Sequence, residues 1–185
     1  MKIMKTERHP SNMESGSVII DPDFIHSILN PYRDHASYLK QAVFHVEPGK
    51  KVQGLKINGQ FAIAESCYID DTGHFNAVEY NICYNQLGYV FLGHCIKNQL
   101  IPELADYTEE TFFHKQLSHV LIVKISSSFS QLINAKDFSG TWGITAVKKT
   151  TQCTFLYTYC NFQDIYGGSS KGEVVLGILP AKEKS

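Results

Sequence analysis

The sequence predicts an α+β protein in which an antiparallel β-sheet wraps around one long central helix. The first supporting observation is an apolar pattern with helical spacing over residues 75–97, which is too apolar around its circumference for a surface helix. The second is a set of segments on both sides of this helix that are rich in branched and aromatic residues, as strands are. The third is the presence of turn residues between consecutive segments, since short turns connect antiparallel neighbours.

The length and composition are those of a single globular domain. The chain has 185 residues, of which 43% are hydrophobic and 19% are charged. A chain of this length can bury roughly 70% of the surface that it exposes when unfolded, so it can form a substantial core. We expect one domain over residues 17–180, with frayed tails at both ends. Residues 1–16 are predicted to fray because they are polar and aperiodic, and residues 181–185 because they are few and charged.

The charge pattern argues against several classes of protein. The formal net charge is −1, and no basic stripe of the kind that binds nucleic acids or anionic membranes is present. No apolar run approaches the ~18 residues that span a bilayer, and no apolar segment of a secretory signal follows the first basic residues. The five cysteines are odd in number and form no CxxC pair, which predicts a reduced, cytoplasmic protein.

The N-terminal part of the domain is predicted to form one short helix followed by three strands. Asp21 and Pro22 suit a cap and a first helical turn, and Asn30-Pro31 ends the helix because the residue before proline disfavours the α region. Pro48-Gly49 and Asn58-Gly59 are predicted to connect the strands, the second as a hairpin turn, since Asn and Gly tolerate positive φ. The predicted strands cover residues 42–46, 52–57 and 60–69.

The remaining elements surround and follow the central helix. A loop over residues 70–74 precedes it, and Gly88 and Gly93 within it predict a close approach of another part of the backbone. A second helix is predicted over residues 108–119. Four strands in meander order are predicted over residues 120–129, 138–148, 153–163 and 173–179, with a turn at 166–169. A sheet that wraps one buried helix in this way is the hotdog architecture.

Several common catalytic motifs are absent from the sequence. It contains no GxSxG nucleophile elbow, no GxxxxGK[ST] phosphate loop, no GxGxxG that opens a helix and no HExxH zinc motif. The eight histidines form no pair with metal-ligand spacing beside a carboxylate or a cysteine. We therefore expect neither a metal ion nor a cofactor.

Polar residues concentrate at the start of the central helix. Asn76 followed by Glu79 is a capping-box pattern that places Asn76 at the N-cap. The first backbone N–H groups of a helix lack helical partners and carry partial positive charge, so a carbonyl or an oxyanion bound there would be stabilised. Asn76 could equally be only a cap, and Tyr68, at the end of a predicted strand, could be an ordinary packing residue.

Asn85 lies on an otherwise apolar stripe of the same helix, together with Val78, Ile82 and Tyr89. An amide that is buried without a hydrogen bond costs about 1–3 kcal/mol. Asn85 is therefore either a core residue bonded to nearby backbone or a donor that holds a substrate carbonyl or a water molecule. The residues alone leave both interpretations open.

The segments around this site resemble the FcoT-like thioesterase family. The string TGHFNAVE over residues 72–79 carries most of the resemblance, with the flanking segments 65–69 and 83–87. Further similar blocks are Asn30-Pro31-Tyr32, residues 116–118, residues 124–127 and Gly172-Glu173, so the resemblance extends from about residue 30 to residue 179. It implies a hotdog fold and a polar active site without a serine or cysteine nucleophile.

The resemblance also implies which residues are catalytic. Tyr32, Tyr68, Asn76 and Asn85 map onto the active site of the family. Their hydroxyl and amide groups would polarise the carbonyl of an acyl thioester, which a water molecule would then attack.

Some members of the family act in isonitrile lipopeptide pathways. They add glycine to the β-carbon of a (2E)-enoyl group on an acyl carrier protein and release a 3-[(carboxymethyl)amino] fatty acid. The resemblance therefore implies this activity here, with Gly73, His74, Glu79 and Lys124 as candidate substrate-binding residues. His74 and Glu79 are both candidate bases for the glycine amine, and Lys124 is a candidate partner for the glycine carboxylate.

Three other functions stay open from the sequence: plain hydrolysis of long-chain acyl thioesters, a hotdog dehydratase, and a non-catalytic protein that binds acyl chains. The carrier of the acyl group could be an acyl carrier protein or coenzyme A. Residues 128–131 are neutral where related sequences tend to be basic, which predicts either a different mode of coenzyme A binding or a preference for a protein carrier. Because a single hotdog sheet leaves an open edge, we expect a homodimer or a larger homo-oligomer.

Overall fold

The structure, a computed structural model, describes residues 16–70 and 72–181. Its strands and helices, in chain order, are β1 (Gly16–Ile19), α1 (Pro22–Leu29), β2 (Leu39–Val46), β3 (Leu55–Phe61), α2 (Ala77–Lys97), α3 (Glu109–His119), β4 (Val120–Gln131), β5 (Phe138–Lys149), β6 (Thr154–Gln163) and β7 (Ser169–Ile178). The predicted tails lie outside the described residues except for their inner ends, where Gly16 begins β1 and Ala181 is buried.

The strands form one antiparallel sheet in the order β1-β2-β3-β5-β6-β7-β4, and α2 packs on one face of it. The predicted hotdog fold is therefore confirmed. The predicted meander is wrong in one respect, because β4 pairs with β7 and not with β5. Since β5 pairs with β3 on one side and with β6 on the other, it has no free side for β4, which pairs instead with the free side of β7.

The predicted hairpin at Asn58-Gly59 is wrong, because both residues lie inside β3 and pair with β2 and β5. A Cβ on Gly59 would lie 2.7 Å from Leu39 Cδ1 and 2.8 Å from Leu87 Cδ1. Glycine is therefore required here by packing against α2 and not by a turn. The turn between β2 and β3 contains the predicted Pro48-Gly49 pair, in which Gly49 has a φ of +73°.

The predicted strand over residues 60–69 is also wrong beyond Phe61, where β3 ends. Ile63 N–H donates to the Ala135 carbonyl at 2.9 Å, and Cys67 N–H donates to the Tyr38 hydroxyl at 3.0 Å. These backbone groups have partners outside a strand ladder, so the described residues from 62 to 70 and from 72 to 76 form an irregular segment. This segment leads directly to the start of α2.

The helices agree with their predicted positions, whereas β1 was not predicted. Helix α1 begins after Asp21, whose carboxylate accepts a hydrogen bond from Asp23 N–H, and it ends at Leu29. Helices α2 and α3 begin after Asn76 and Thr108. All four residues of β1 are exposed, so no alternation of buried and exposed positions marks this strand.

Buried side chains hold α2 against the sheet. The Tyr80 hydroxyl donates to the Cys160 carbonyl at 2.7 Å, and the Tyr84 hydroxyl lies 2.8 Å from Thr158 Oγ1. On another side of the helix, Gln86 Oε1 accepts hydrogen bonds from Tyr38 N–H at 2.9 Å and from the N–H of Leu39, the first residue of β2, at 3.0 Å. The first half of α2 is thus fixed relative to both β2 and β6.

The two glycines inside α2 are explained by close packing, although the neighbours are side chains and not the backbone that was predicted. A Cβ on Gly88 would lie 3.1 Å from Trp142 Nε1, and a Cβ on Gly93 would lie 2.6 Å from Ile28 Cδ1. The second half of α2 is therefore covered by β5 and by α1.

The described part of the chain holds no helix long and apolar enough to cross a membrane. Within residues 16–70 and 72–181, no three His, Cys, Asp or Glu side chains are grouped so that they could hold a metal ion. All five cysteines are free thiols, and Cys83, Cys95 and Cys160 are buried.

Candidate active site at the start of the central helix

Helix α2 begins with the predicted capping box. Asn76 Oδ1 accepts hydrogen bonds from Val78 N–H at 2.9 Å and from Glu79 N–H at 3.2 Å. In return, Glu79 Oε2 accepts a hydrogen bond from Asn76 N–H at 3.1 Å. The cap therefore places both side chains at the positive end of the helix dipole.

The Asn76 side chain has a fixed orientation. Its oxygen accepts a third hydrogen bond from the Tyr68 hydroxyl, at 3.0 Å, in addition to the two from the helix. Three donors on one oxygen define that atom as the oxygen and its neighbour as the NH₂ group. Nδ2 is buried and has no hydrogen-bond partner among the described residues. A buried, unpaired donor at a helix start is suited to an acceptor supplied by a ligand.

A cleft of about 400 Å³ adjoins this amide. The residues around it come from the start of α2 and from the end of β4: His74, Phe75, Asn76, Ala77, Phe129, Ser130, Gln131 and Leu132. Phe129 packs against Tyr80, with ring centroids 5.9 Å apart, so the aromatic floor of the cleft is continuous with the core. The volume falls in the range of small-ligand sites, which combine apolar walls with a few polar groups.

The loop before the helix is a tight turn. The Thr72 hydroxyl donates to the His74 carbonyl at 3.0 Å, and His74 Nδ1 lies 3.0 Å from the Thr72 carbonyl. Gly73 between them has a φ of +75°, in the left-handed region that side chains disfavour. Gly73 therefore shapes the turn, and half-buried His74 is the residue that the turn presents to the cleft.

Glu79 is buried, with only 2% of its surface exposed. The Tyr38 hydroxyl is nearby, and burial, together with the neighbouring Cys67 and Glu79, raises the pKa of this phenol well above its usual value. Tyr38 thus keeps its proton at neutral pH and can donate a hydrogen bond beside the Glu79 carboxylate.

Asn85 lies further along α2, and Tyr32, which follows α1, lies beside the same part of α2. Asn85 is half-buried, and its Nδ2 donates to Asn81 Oδ1 at 3.4 Å, one turn earlier on the same face. Burial raises the pKa of the Tyr32 hydroxyl, and Tyr89 and Cys83 beside it raise it further, so Tyr32 stays protonated. Asn85 and the neighbours of Tyr32 therefore belong to the middle of the helix and not to its start.

Lys124 lies apart from the other candidates. It pairs with Val175 of β7, whereas the neighbouring residues Ile122 and Ile125 pair with Leu176 and Val174, whose buried side chains lie on the face of the sheet that packs against α2. Side chains of paired residues point to the same face of a sheet, and adjacent residues point to opposite faces. Lys124 is thus on the face of the sheet that is directed away from α2.

The structure therefore brings Tyr68, Asn76, Glu79, Gly73 and His74 together at the start of α2 and does not bring Lys124, Tyr32 or Asn85 to the same cleft. Several polar residues near these groups were not among the predicted site residues. They are Tyr38, Asn81 and Ser66, whose buried Oγ has no hydrogen-bond partner among the described residues. Only Asn81 had a local signal, because it precedes Asn85 by one helical turn.

Fold and site together define a hotdog protein of the thioesterase type, with a polar cleft at the start of its central helix. Among the described residues that line this cleft, only Ser130 and His74 carry a side chain that could act as a nucleophile. The FcoT-like thioesterase domain matches residues 27–178. The chain belongs to this family of thioesterase-type enzymes, and the resemblance seen in the TGHFNAVE string is confirmed.

Similar proteins cover the chain almost completely. A (2E)-enoyl-[ACP] glycyltransferase of Streptomyces coeruleorubidus is 35% identical over 164 residues, which are 86% of this chain and 97% of the relative. A (2E)-enoyl-[ACP] glycyltransferase of Mycobacterium marinum is 33% identical over 175 residues, which are 92% of this chain and 93% of the relative. Among solved structures, zebra fish thioesterase superfamily member 2 has a TM-score of 0.49 and 9% identity, over 85% of this chain and 94% of that chain.

Proposed function

We propose that this protein adds glycine to the β-carbon of a (2E)-enoyl group on an acyl carrier protein and then releases a 3-[(carboxymethyl)amino] fatty acid by thioester hydrolysis. The names of the two relatives support the enoyl substrate and the carrier protein, because each relative aligns over more than nine-tenths of its own length. The pathway that we propose is the one implied by the resemblance, isonitrile lipopeptide biosynthesis in the cytoplasm.

The observation that carries this proposal is the unpaired Nδ2 of Asn76 at the positive end of α2. A thioester carbonyl that accepts a hydrogen bond from this amide withdraws electrons from the conjugated double bond. The β-carbon then becomes electrophilic, and the enolate oxygen that forms during addition is stabilised by the same donor. The oxyanion of the later hydrolysis would also be stabilised, and one such donor is worth about 10²–10³ in rate.

Plain acyl thioester hydrolysis is the second candidate, because the family is described by its thioesterase domain. The two functions share the carbonyl-binding donor and differ only in the fate of the β-carbon. Incubation of the enzyme with a (2E)-enoyl-acyl carrier protein and ¹³C-labelled glycine separates them. We expect a released fatty acid whose mass includes the labelled glycine. Release of unlabelled enoic acid alone, with or without glycine, would contradict glycine addition and favour plain hydrolysis.

We also propose that a complete site needs a second copy of the chain. Asn76 and Asn85 are nine residues apart in sequence, which places them about 13 Å apart along the helix axis and about half a turn apart around it. One carbonyl therefore cannot contact both amides within one protomer. If Asn85 is catalytic, as the resemblance implies, it serves a site whose Asn76 belongs to the partner.

Strand β4 is the surface that we propose for this second copy. It is a twelve-residue edge strand that pairs with β7 on one side, and apolar side chains are exposed on both of its faces, including Val123, Ile125 and Phe129. Lys124 is its only charged residue. An edge strand without proline or several charges is not protected against pairing with another strand. Phe129 lines the cleft, so a partner strand on β4 would also border the site.

A further inference from the structure

The turn before α2 determines the protonation pattern of His74. A carbonyl oxygen can only accept a hydrogen bond, so the 3.0 Å contact with the Thr72 carbonyl requires the proton to be on His74 Nδ1. In the neutral imidazole, Nε2 is then the atom with a lone pair. Because the reciprocal bond from the Thr72 hydroxyl holds the turn, this tautomer is built into the loop.

We propose that His74 Nε2 is the general base that accepts the proton from the attacking glycine amine. This assignment rests on the proposed glycine addition and names the base for it. His74 borders the same cleft as Asn76, whose Nδ2 would hold the thioester carbonyl. An acceptor of protons and a donor to the carbonyl thus lie two residues apart at the border of one small cavity. Among the described residues that line this cleft, His74 is the only titratable one.

Glu79 is a poorer candidate for this base. Its Oε2 accepts the Asn76 N–H and closes the capping box, and the residue is only 2% exposed. Protonation of this carboxylate would weaken the cap that holds Asn76 in position. The phenols of Tyr38 and Tyr32 are unsuitable as bases, since burial raises the pKa of each hydroxyl. His74 can exchange a proton without loss of any contact that the fold needs.

The addition step balances with these groups alone. The nitrogen lone pair of glycine forms the C–N bond to the β-carbon, and the electrons of the carbon–carbon double bond move to the thioester oxygen as an enolate. His74 Nε2 takes one proton from the nitrogen. The enolate then re-forms the carbonyl and takes a proton at the α-carbon, which the imidazolium can supply, so His74 returns to its neutral form. Net addition of N–H across the double bond needs no oxidant or other co-reactant.

The test compares His74→Asn with His114→Asn as the matched control. Asparagine keeps an N–H near the position of Nδ1 for the Thr72 carbonyl but has no basic nitrogen. His114 is exposed on α3 and does not line the cleft, so the same substitution there leaves the site intact. Formation of the labelled adduct on the acyl carrier protein is followed by mass spectrometry at a range of glycine concentrations. We expect His74→Asn to lower kcat for adduct formation by about 10²–10⁴, with little change in KM for glycine, and His114→Asn to stay near wild type.

A second variant, His74→Gly, excludes a purely structural role. Added imidazole should restore part of its adduct formation, because imidazole can occupy the vacated space as a base. Adduct formation by His74→Asn within threefold of wild type, or an equal loss in His114→Asn, would overturn the assignment while leaving glycine addition intact. Failure of imidazole to restore activity would overturn it as well. Absence of any adduct with the wild-type enzyme would instead reject the proposed function.

Discussion

Helices α2 and α3 begin with the same kind of reciprocal cap, yet only the start of α2 has the features of an active site. In α3, Thr108 Oγ1 accepts a hydrogen bond from Thr111 N–H at 3.1 Å, and Thr111 Oγ1 accepts one from Thr108 N–H at 2.7 Å. Thr108 is exposed to solvent. In α2, the corresponding pair is Asn76 and Glu79, and the cap is enclosed by a loop and by the end of β4.

The difference lies in the polar atom that remains after the cap is formed. A threonine hydroxyl at an N-cap is used entirely by the cap and the local turn, whereas an asparagine amide has a second polar atom. At α2 the third donor, Tyr68, occupies the oxygen and leaves Nδ2 buried without a partner. A helix cap thus becomes a candidate site only when its surroundings enclose a group that the cap itself does not need.

The largest expected effect comes from Asn76→Asp. Aspartate retains an oxygen for the two helix N–H groups and for Tyr68, so the cap and the fold should be preserved. It lacks the donor for a thioester carbonyl. We expect thioester turnover to fall about 10²–10³ while the midpoint of thermal unfolding stays close to wild type, as measured by carrier release and by circular dichroism. Retention of more than a third of the wild-type rate would contradict the role of Nδ2.

The second prediction concerns whether Asn76 of one protomer and Asn85 of its partner form one active site. Asn76→Asp and Asn85→Ala are each expected to be inactive alone. If each site combines Asn76 of one copy with Asn85 of the other, equal mixing with exchange of subunits restores one intact site in each mixed dimer. About half of the dimers are then mixed, and each of these has one intact site of two. The rate should therefore recover to about a quarter of wild type. A mixture that is no more active than its parents, with exchange verified by native mass spectrometry, would place both residues in sites within one protomer.

Tyr68→Phe should have a smaller effect. It removes one of three donors from Asn76 Oδ1 and leaves the two from the helix. Because the amide would then be held less firmly, we expect a loss of about tenfold in kcat. The free energy of unfolding should change by about 0.5–1.5 kcal/mol or less, because Tyr68 is exposed. A loss as large as that of Asn76→Asp would show that the Tyr68 hydroxyl itself contacts the substrate.

The smallest effect on activity is expected from Thr108→Ala. Loss of this cap should lower the free energy of unfolding by about 1 kcal/mol, measured by urea titration, and should leave thioester turnover unchanged. The same stability loss in Asn76→Ala would be accompanied by a loss of turnover. If Thr108→Ala impaired turnover as well, general destabilisation would explain both variants.

The local parts of the site could be predicted from the sequence, and the non-local parts could not. The cap at Asn76 and Glu79 was visible because its partners are three residues apart and follow from helix geometry. The position of Lys124 on the outer face was not visible, because it depends on a bulge between Ile122 and Lys124 in the pairing of β4 with β7. A one-residue shift of register is enough to exchange the two faces of a strand.

By itself, the sequence determined the three helices, the caps at Asp21 and Asn76 and most of the strands, because each depends on spacing and propensity within a few residues. The tertiary structure alone decided that Asn58-Gly59 continues a strand, that β4 occupies an open edge, and that Tyr68 orients the amide of Asn76. These features depend on contacts between parts of the chain whose relative positions no local pattern encodes. The packing of α2 on the sheet establishes them, and that packing converts an ordinary helix cap into a candidate catalytic centre.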